Sequence, residues 1–176
     1  MPFDLNRKFA HAVMRACLLL SLQMAVPLSA QPADLAVGVE APDFALRSLQ
    51  QQNLRLSEFR GDVVLINFWA SWCGGCRQAM PALNDIYDKY RRAGLVMLSV
   101  NLDDDHHHAE SMSKSLKIAY PVLLDQRKEA GKLYRIETMP TTLLIDRAGT
   151  IRHVFVGYSL GDEQTYLSSV RELLNE

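Results

Sequence analysis

The feature that most restricts the fold of this chain is a near-continuous apolar run of seven residues, Val63–Trp69, that leads almost directly into a pair of cysteines. Its length and its β-branched residues are typical of a strand buried on both faces, as in a parallel sheet. After the second cysteine, apolar side chains recur at helical spacing as far as Tyr90. The sequence therefore predicts a buried strand, a tight turn that carries Cys73 and Cys76, and a long helix.

Other periodic segments extend this unit in both directions. Two alternating segments, near residues 44–47 and 54–56, predict a β-hairpin before the buried strand. Later strands are predicted at 95–100, 121–124, 142–145 and 151–156, and later helices at 128–134, at 162–174 and from a cap within 103–105 to about 117. This order predicts an α/β fold in which helices cover both faces of a sheet.

The first thirty residues differ in character from the predicted domain. Basic residues at positions 7, 8 and 15 precede an apolar run at 16–26, and Leu28-Ser29-Ala30 follows Pro27. This order is typical of a secretory signal cleaved after Ala30, and the run is shorter than the roughly 18–20 residues of a membrane-spanning helix. We therefore predict a signal peptide at 1–30 and one exported, periplasmic domain at 31–176. The alternative is an uncleaved amino-terminal anchor.

Cysteine usage and charge restrict the possible chemistry. Cys17 lies in the predicted signal, so cleavage leaves Cys73 and Cys76, which are too few cysteines for a disulfide-stapled scaffold. The formal net charge of -1 gives no indication of a nucleic-acid partner. Structural zinc usually needs four ligands, and the sequence has no second cysteine pair. The pair is therefore expected to matter for its reactivity.

The position of the pair predicts how it reacts. A cysteine just before a helix meets unpaired backbone N–H groups and the positive end of the helix dipole, and both favour the thiolate. Such a position can lower a cysteine pKa from about 8.5 into the range of roughly 3.5–7.5. We predict that Cys73 is the nucleophile and that Cys76, one helical turn further on, resolves the mixed disulfide. No cofactor or metal is expected beyond the redox-active disulfide.

Five segments carry a resemblance to a known family. They are WASWCGGCR at 69–77, APDF at 41–44, LSEFRG at 56–61, PVLLD at 121–125 and MPTTLLID at 139–146. Together they resemble the thioredoxin-like TlpA/ResA family of exported thiol–disulfide oxidoreductases, over roughly residues 38–174. The resemblance implies a thioredoxin-like fold with a central mixed sheet and an added amino-terminal hairpin.

The resemblance also implies a substrate site and a cellular role. It implies a cis bond between Met139 and Pro140, with Pro140 beside the cysteines and the Met139 backbone able to pair with an extended substrate. Trp72 is expected to shape the same surface, and Trp69 is either a core aromatic or part of that surface. The implied activity is reduction of protein disulfides, in cytochrome c maturation or envelope redox homeostasis. A membrane thiol carrier would supply electrons to a monomeric protein.

Departures from the family pattern leave the direction of electron flow open. Many relatives have Glu where this chain has Ala79, and thioredoxins have a buried Asp where it has Asn67. Either carboxylate could accept a proton from a thiol, and because this chain has neither, we assign no general base. Glu137, near Pro140, is a candidate but is interpreted as a solvated loop residue. The alternatives are a disulfide oxidase or isomerase and, in another class, a copper-binding or copper-delivery module. Histidines 106–108 are interpreted as a solvated helix start rather than a metal tract.

Overall fold

A seven-stranded sheet organises residues 37–176, the part of the chain that the computed structural model describes. The strands are β1 (Ala45–Ser48), β2 (Asn53–Arg55), β3 (Val63–Trp69), β4 (Leu95–Asn101), β5 (Val122–Leu124), β6 (Thr141–Ile145) and β7 (Ile151–Val156). The helices are α1 (Gly74–Tyr90), α2 (His106–Ser115), α3 (Glu129–Leu133) and α4 (Asp162–Leu174), with short 3₁₀ helices at Leu56–Phe59 and Arg91–Ala93. The predicted signal peptide at 1–30 and its cleavage site lie outside the described residues.

The sheet is mixed, and its strands follow the order β2-β1-β5-β4-β3-β6-β7. Strands β3, β4 and β5 run parallel, whereas β6 is antiparallel to β3 and β7 is antiparallel to β6. Strand β1 pairs in antiparallel fashion with both β2 and β5. The predicted amino-terminal hairpin is therefore the far edge of the main sheet.

Strand β3 contributes side chains to both cores of the domain. All seven of its residues are buried, and it pairs with β4 along its whole length. Because successive side chains of a strand point to opposite faces, its even-numbered residues pack towards α3 and the hairpin. Its odd-numbered apolar residues pack towards α1, α2 and α4. Helices thus cover both faces of the sheet, as predicted.

Helix α1 continues the packing of β3. Its buried residues include Cys76, Met80, Leu83 and Ile86, which recur every three or four positions and form one apolar face. The chain leaves the helical region at Gly94, whose φ of 97° is a left-handed conformation that glycine adopts without steric cost. The parallel connection from β3 to β4 therefore places the amino-terminal end of α1 at the carboxyl end of the central strand.

The predicted elements are present, and some of their ends differ. Strands β3 and β7 and helix α4 have the predicted bounds. Helix α2 has Asp105 as its cap, because the Asp105 carboxylate accepts the N–H of His107 at 2.9 Å. Asp103, which also lies in the predicted cap region, does not cap α2, and its buried side chain binds Ser71 and Asn101 instead. Among residues 37–176, no helix is both long and apolar enough to cross a membrane.

The central position of β3 makes its odd-numbered side chains critical for stability. Leu65 is fully buried between α1 and α4. We expect Leu65→Ala to lower the free energy of unfolding by about 2–5 kcal/mol, because it removes buried carbon atoms and leaves a cavity. Leu160→Ala, at a side chain that is 85% exposed, should change it by less than about 0.5 kcal/mol. Denaturant unfolding followed by circular dichroism measures both, and equal effects would contradict this placement.

Candidate redox-active site

Cys73 and Cys76 form a disulfide at the amino-terminal end of α1. Their Cα atoms are 5.2 Å apart. Cys73 is the residue that caps α1, and its Sγ accepts the N–H of Cys76 at 3.1 Å. Cys73 is 7% exposed, whereas Cys76 is fully buried. Of the two residues, Cys73 is therefore the one that a partner reaches first.

The surroundings of Cys73 favour a negative charge on its sulfur once the disulfide is reduced. The first turn of α1 runs from Gly74 to Arg77 and contains no acidic side chain. Its backbone N–H groups lie at the positive end of the helix dipole, which lowers the free energy of a nearby anion. The same features are those that lower cysteine pKa values at helix starts. The geometry thus suits Cys73 as a thiolate nucleophile.

Pro140 lies directly against the cysteine motif. The Met139–Pro140 peptide bond is cis. A methyl group at the Cβ position of Gly75 would lie 3.4 Å from Cδ of Pro140. The carbonyl oxygen of Pro140 accepts the N–H of Gly157 at 2.7 Å, and Met139 packs against the cluster that contains both cysteines. The structure therefore brings Met139 and Pro140 to the cysteines.

The two tryptophans of the motif lie in different environments. Trp69 is fully buried in a cluster with Cys73, Cys76 and Met80. Trp72 is 73% exposed. Trp69 is accordingly a core residue beneath the disulfide, and Trp72 is the aromatic side chain that a binding partner would meet.

A groove of about 430 Å³ begins beside Trp72 and Met139. Its walls combine apolar side chains with basic ones from α3 and the loop after it. The remaining lining residues are Leu102, Lys128, Gly131, Lys132, Arg135, Ile136 and Glu137. Glu137 is exposed and lies in a loop, as predicted. The sequence did not indicate this groove, because its walls come from segments that are distant along the chain.

The two positions where the resemblance raises the expectation of a carboxylate are neutral and buried. Ala79 is 1% exposed and Asn67 is fully buried. Asn67 donates from Nδ2 to Oγ1 of Thr142 at 3.0 Å, whereas its Oδ1 has no hydrogen-bond partner within the described structure. Ser99, the neighbour of Asn67 on β4, also has a buried Oγ without a partner among these residues. The sheet beneath α1 thus offers polar atoms here but no charge.

A buried carboxylate that local patterns did not reveal holds the turn before the cysteines. Asp103 is 3% exposed. Its oxygens accept the N–H of Ser71 at 3.1 Å, the hydroxyl of Ser71 at 3.1 Å and Nδ2 of Asn101 at 2.8 Å. Because Ser71 and Asp103 are 32 residues apart, only the pairing of β3 with β4 brings them together.

The histidine tract lies at the exposed start of α2. Donor atoms of Asp105, His106 and His107 lie within 4.8 Å of one another. The side chains of His106 and His107 are 44% and 70% exposed. The hydrogen bond from the backbone N–H of His107 lowers the pKa of Asp105. The tract therefore lies at an exposed helix start, as predicted, and its interpretation as a solvated segment rather than a metal tract stays a prediction.

Comparison with known proteins identifies relatives over most of the chain. The model of the AhpC/TSA family matches residues 37–154. The thiol-disulfide oxidoreductase ResA of Geobacillus kaustophilus is 31% identical over 172 residues, which are 94% of this chain and 99% of that protein. ResA of Oceanobacillus iheyensis is 33% identical over 139 residues, which are 76% of this chain and 72% of that protein.

Solved structures that resemble this chain are also described as thiol–disulfide exchange proteins. A Chlorobium tepidum protein described as a thiol:disulfide interchange protein DsbE has a TM-score of 0.77 and 35% identity, over 80% of this chain and 99% of its own. A Bacteroides thetaiotaomicron protein described as a protein disulfide isomerase has a TM-score of 0.75 and 30% identity, over 80% of this chain and 91% of its own. The thioredoxin-like fold predicted from the sequence is confirmed.

The unequal exposure of the two cysteines predicts unequal reactivity. After reduction, we expect iodoacetamide to modify Cys73 at least about ten times faster than Cys76, because Cys73 is the more exposed residue and lies at the helix start. Mass spectrometry of proteolytic fragments taken over time measures both rates. Comparable modification of Cys76 would contradict the assignment of Cys73 as the attacking residue.

Proposed function

This chain belongs to the AhpC/TSA family and is a TlpA/ResA-like thiol–disulfide oxidoreductase, and on that basis we propose that it reduces protein disulfides through Cys73 and Cys76. One observation carries the proposal. The two cysteines form a disulfide at the start of α1, directly beside the cis Met139–Pro140 bond. The proposed active site is a dithiol that cycles with this disulfide, and no other cofactor is proposed.

The reaction proceeds by two exchanges of sulfur. The Cys73 thiolate attacks one sulfur of the substrate disulfide, so that the substrate S–S bond breaks, a mixed disulfide forms and the first substrate thiolate leaves. The Cys76 thiolate then attacks Sγ of Cys73, which releases the second substrate thiolate and forms the intramolecular disulfide. Two electrons pass to the substrate, and the two protons lost by the cysteines balance the two that the substrate thiolates take up.

The substrate-binding residues of the proposal are Trp72, Met139 and Pro140. Trp72 offers a large exposed ring beside Cys73, and aromatic anchors of this kind commonly dominate protein–protein contacts. Val156, which pairs with the residue after Pro140, and Leu160 are also largely exposed. Trp72 and Val156 thus place exposed apolar side chains next to the cysteine motif and next to Pro140, which suits a site for a polypeptide substrate.

The cellular setting is part of the proposal. The basic start, apolar run and small residues of positions 1–30 support export to the periplasm. A compartment that oxidises thiols does not regenerate the dithiol, so a thiol carrier in the membrane is the proposed electron donor to a monomeric protein. Cytochrome c maturation and envelope redox homeostasis are the proposed processes.

A second candidate is net oxidation or isomerisation of disulfides. The neutral side chains of Asn67 and Ala79 favour it, because they provide no carboxylate to accept a proton from the buried thiol. The reduction potential separates the candidates: a value near -270 mV, about that of thioredoxin, supports a reductase, and one near -120 mV, about that of DsbA, supports an oxidase. The copper-binding alternative stays a prediction, which titration of the reduced protein with Cu(I) tests.

Variants of the two cysteines test the proposed cycle. We expect Cys73→Ser to abolish insulin reduction and Cys76→Ser to accumulate a mixed disulfide with the substrate on Cys73, because no second thiol is left to release it. Turbidity of insulin and non-reducing electrophoresis measure the two outcomes. Full activity of Cys73→Ser would refute the mechanism, and mass spectrometry of proteins trapped by Cys76→Ser identifies the substrate.

Trp72 tests the substrate surface separately from the chemistry. We expect Trp72→Ala to raise KM for a protein disulfide by roughly 5–30-fold, the effect of removing an aromatic anchor worth about 1–2 kcal/mol. Its reaction with a small aromatic disulfide should change less than about twofold, since the thiols are unaltered. Val37→Ala serves as the control for loss of an exposed apolar side chain outside the cysteine motif, and it should leave KM unchanged. Val37 lies just before the bridge between Glu40 and Thr150. An unchanged KM for Trp72→Ala would remove Trp72 from the substrate site.

A further inference from the structure

A single buried carboxylate holds the turn that leads to Cys73. We infer that Asp103 is a positioning residue for the thiol–disulfide reaction, which fixes this turn and, through its negative charge, disfavours the Cys73 thiolate and makes the cysteine pair a stronger reductant. The inference rests on the proposed function of Cys73 and Cys76. It concerns how strongly reducing the pair is, and the following contacts support it.

The register of the two central strands places Asp103 at the turn. Trp69, the last residue of β3, is paired with Asn101, the last residue of β4, and Leu102 donates its N–H to the carbonyl oxygen of Trp69 at 2.8 Å. The next residue, Asp103, therefore meets the chain where it leaves β3. There it accepts two hydrogen bonds from Ser71, one from the backbone and one from the hydroxyl.

The turn bound by Asp103 includes Cys73 itself. Cys73 donates its N–H to the carbonyl oxygen of Ala70 at 3.1 Å, which closes a four-residue turn with Ser71 at its second position. Ser71 and Cys73 are two residues apart and consecutive Cα atoms are about 3.8 Å apart, so the carboxylate lies roughly 10 Å from the backbone of Cys73. Asp103 thus restrains the backbone that carries the nucleophile.

The charge of Asp103 is poorly shielded from Cys73. Both of its oxygens accept hydrogen bonds, which is the role of an ionised carboxylate. The ion pairs observed among the described residues join other carboxylates. At about 10 Å and an effective dielectric constant near 20, the repulsion between two negative charges lowers the ionisation constant of the Cys73 thiol by a factor of roughly ten or more. The fraction of Cys73 present as thiolate falls accordingly.

Other charged groups around the turn are better screened by water. Arg77 on α1, Lys132 on α3 and Glu137 are all exposed. Lys128 is paired with Asp104 at 2.7 Å. These groups change the field at Cys73 less than a carboxylate that is 3% exposed.

Three further groups lie on the segments next to Asp103. Asp105 and His106 lie beside each other at the exposed start of α2, with an oxygen–nitrogen distance of 3.8 Å. Asp125 is buried, and burial raises its pKa, although its oxygens accept the N–H groups of Glu129 and Gly131 at 2.8 Å each. Asp125 binds the start of α3, whereas Asp103 is the buried carboxylate that binds the cysteine turn.

Neutralising Asp103 in the full chain tests the inference. In Asp103→Asn, the midpoint pH for iodoacetamide modification of Cys73 should fall. The equilibrium with glutathione should shift about tenfold towards the reduced protein, which corresponds to a potential about 30 mV higher. Asp85→Asn is the control, because it removes an exposed carboxylate of α1 that lies away from the cysteine turn, and it should leave both values unchanged. Ser71→Ala keeps the charge, removes one hydrogen bond to the turn and should also leave the midpoint unchanged.

The outcomes separate this inference from the proposed function. A folded Asp103→Asn protein with wild-type midpoint and equilibrium overturns the role of Asp103. If the asparagine variant does not fold, Asp103→Ser replaces it. The serine hydroxyl can still accept the Ser71 N–H, and it places no second amide against Asn101. The midpoint pH and the glutathione equilibrium of that variant then decide. Failure of the wild-type protein to reduce insulin refutes the proposed function instead, whatever the titration of Cys73 gives.

Discussion

Burial of β3 on both faces is the constraint on which the rest of the structure depends. A strand that contacts two cores cannot shift by one residue without exchanging its faces, so its register is strongly fixed. Its last residue, Trp69, fills the space beneath the cysteine motif. The chain must therefore turn at Ala70, and α1 begins where the sheet ends, with the two sulfur atoms at its start.

Two opposing electrostatic influences act on Cys73 at this point. The start of α1 favours a negative charge on the sulfur, and the buried carboxylate of Asp103 opposes it. Asn67 of the sheet and Ala79 of α1 contribute neutral groups at the two positions where the family resemblance raises the expectation of a carboxylate. Reactivity of such a site is a balance between the dipole and one fixed charge, which is why the presence of a CxxC motif alone does not give the direction of electron flow.

Most of the fold follows from local patterns, and the details of the site do not. The bounds of β3, β7 and α4 could be predicted because continuous apolar runs and helical periodicity lie within each segment. The cis bond before Pro140 followed from a resemblance in motif. Contacts such as that of Ser71 with Asp103 depend on the register between strands, and a run of three aspartates does not reveal which of them is buried. The groove beside Trp72 likewise requires the positions of three separate segments.

The added hairpin has a consequence for how the protein behaves among other chains. Strand β2, which ends the sheet on that side, has three residues, and two of them are exposed. At the opposite edge, Arg152 of β7 is held by the carboxylates of Asp146 and Glu176. Short or charged edges offer little opportunity for another polypeptide to add a strand. Both edges of the sheet are therefore poorly suited to aggregation by strand addition.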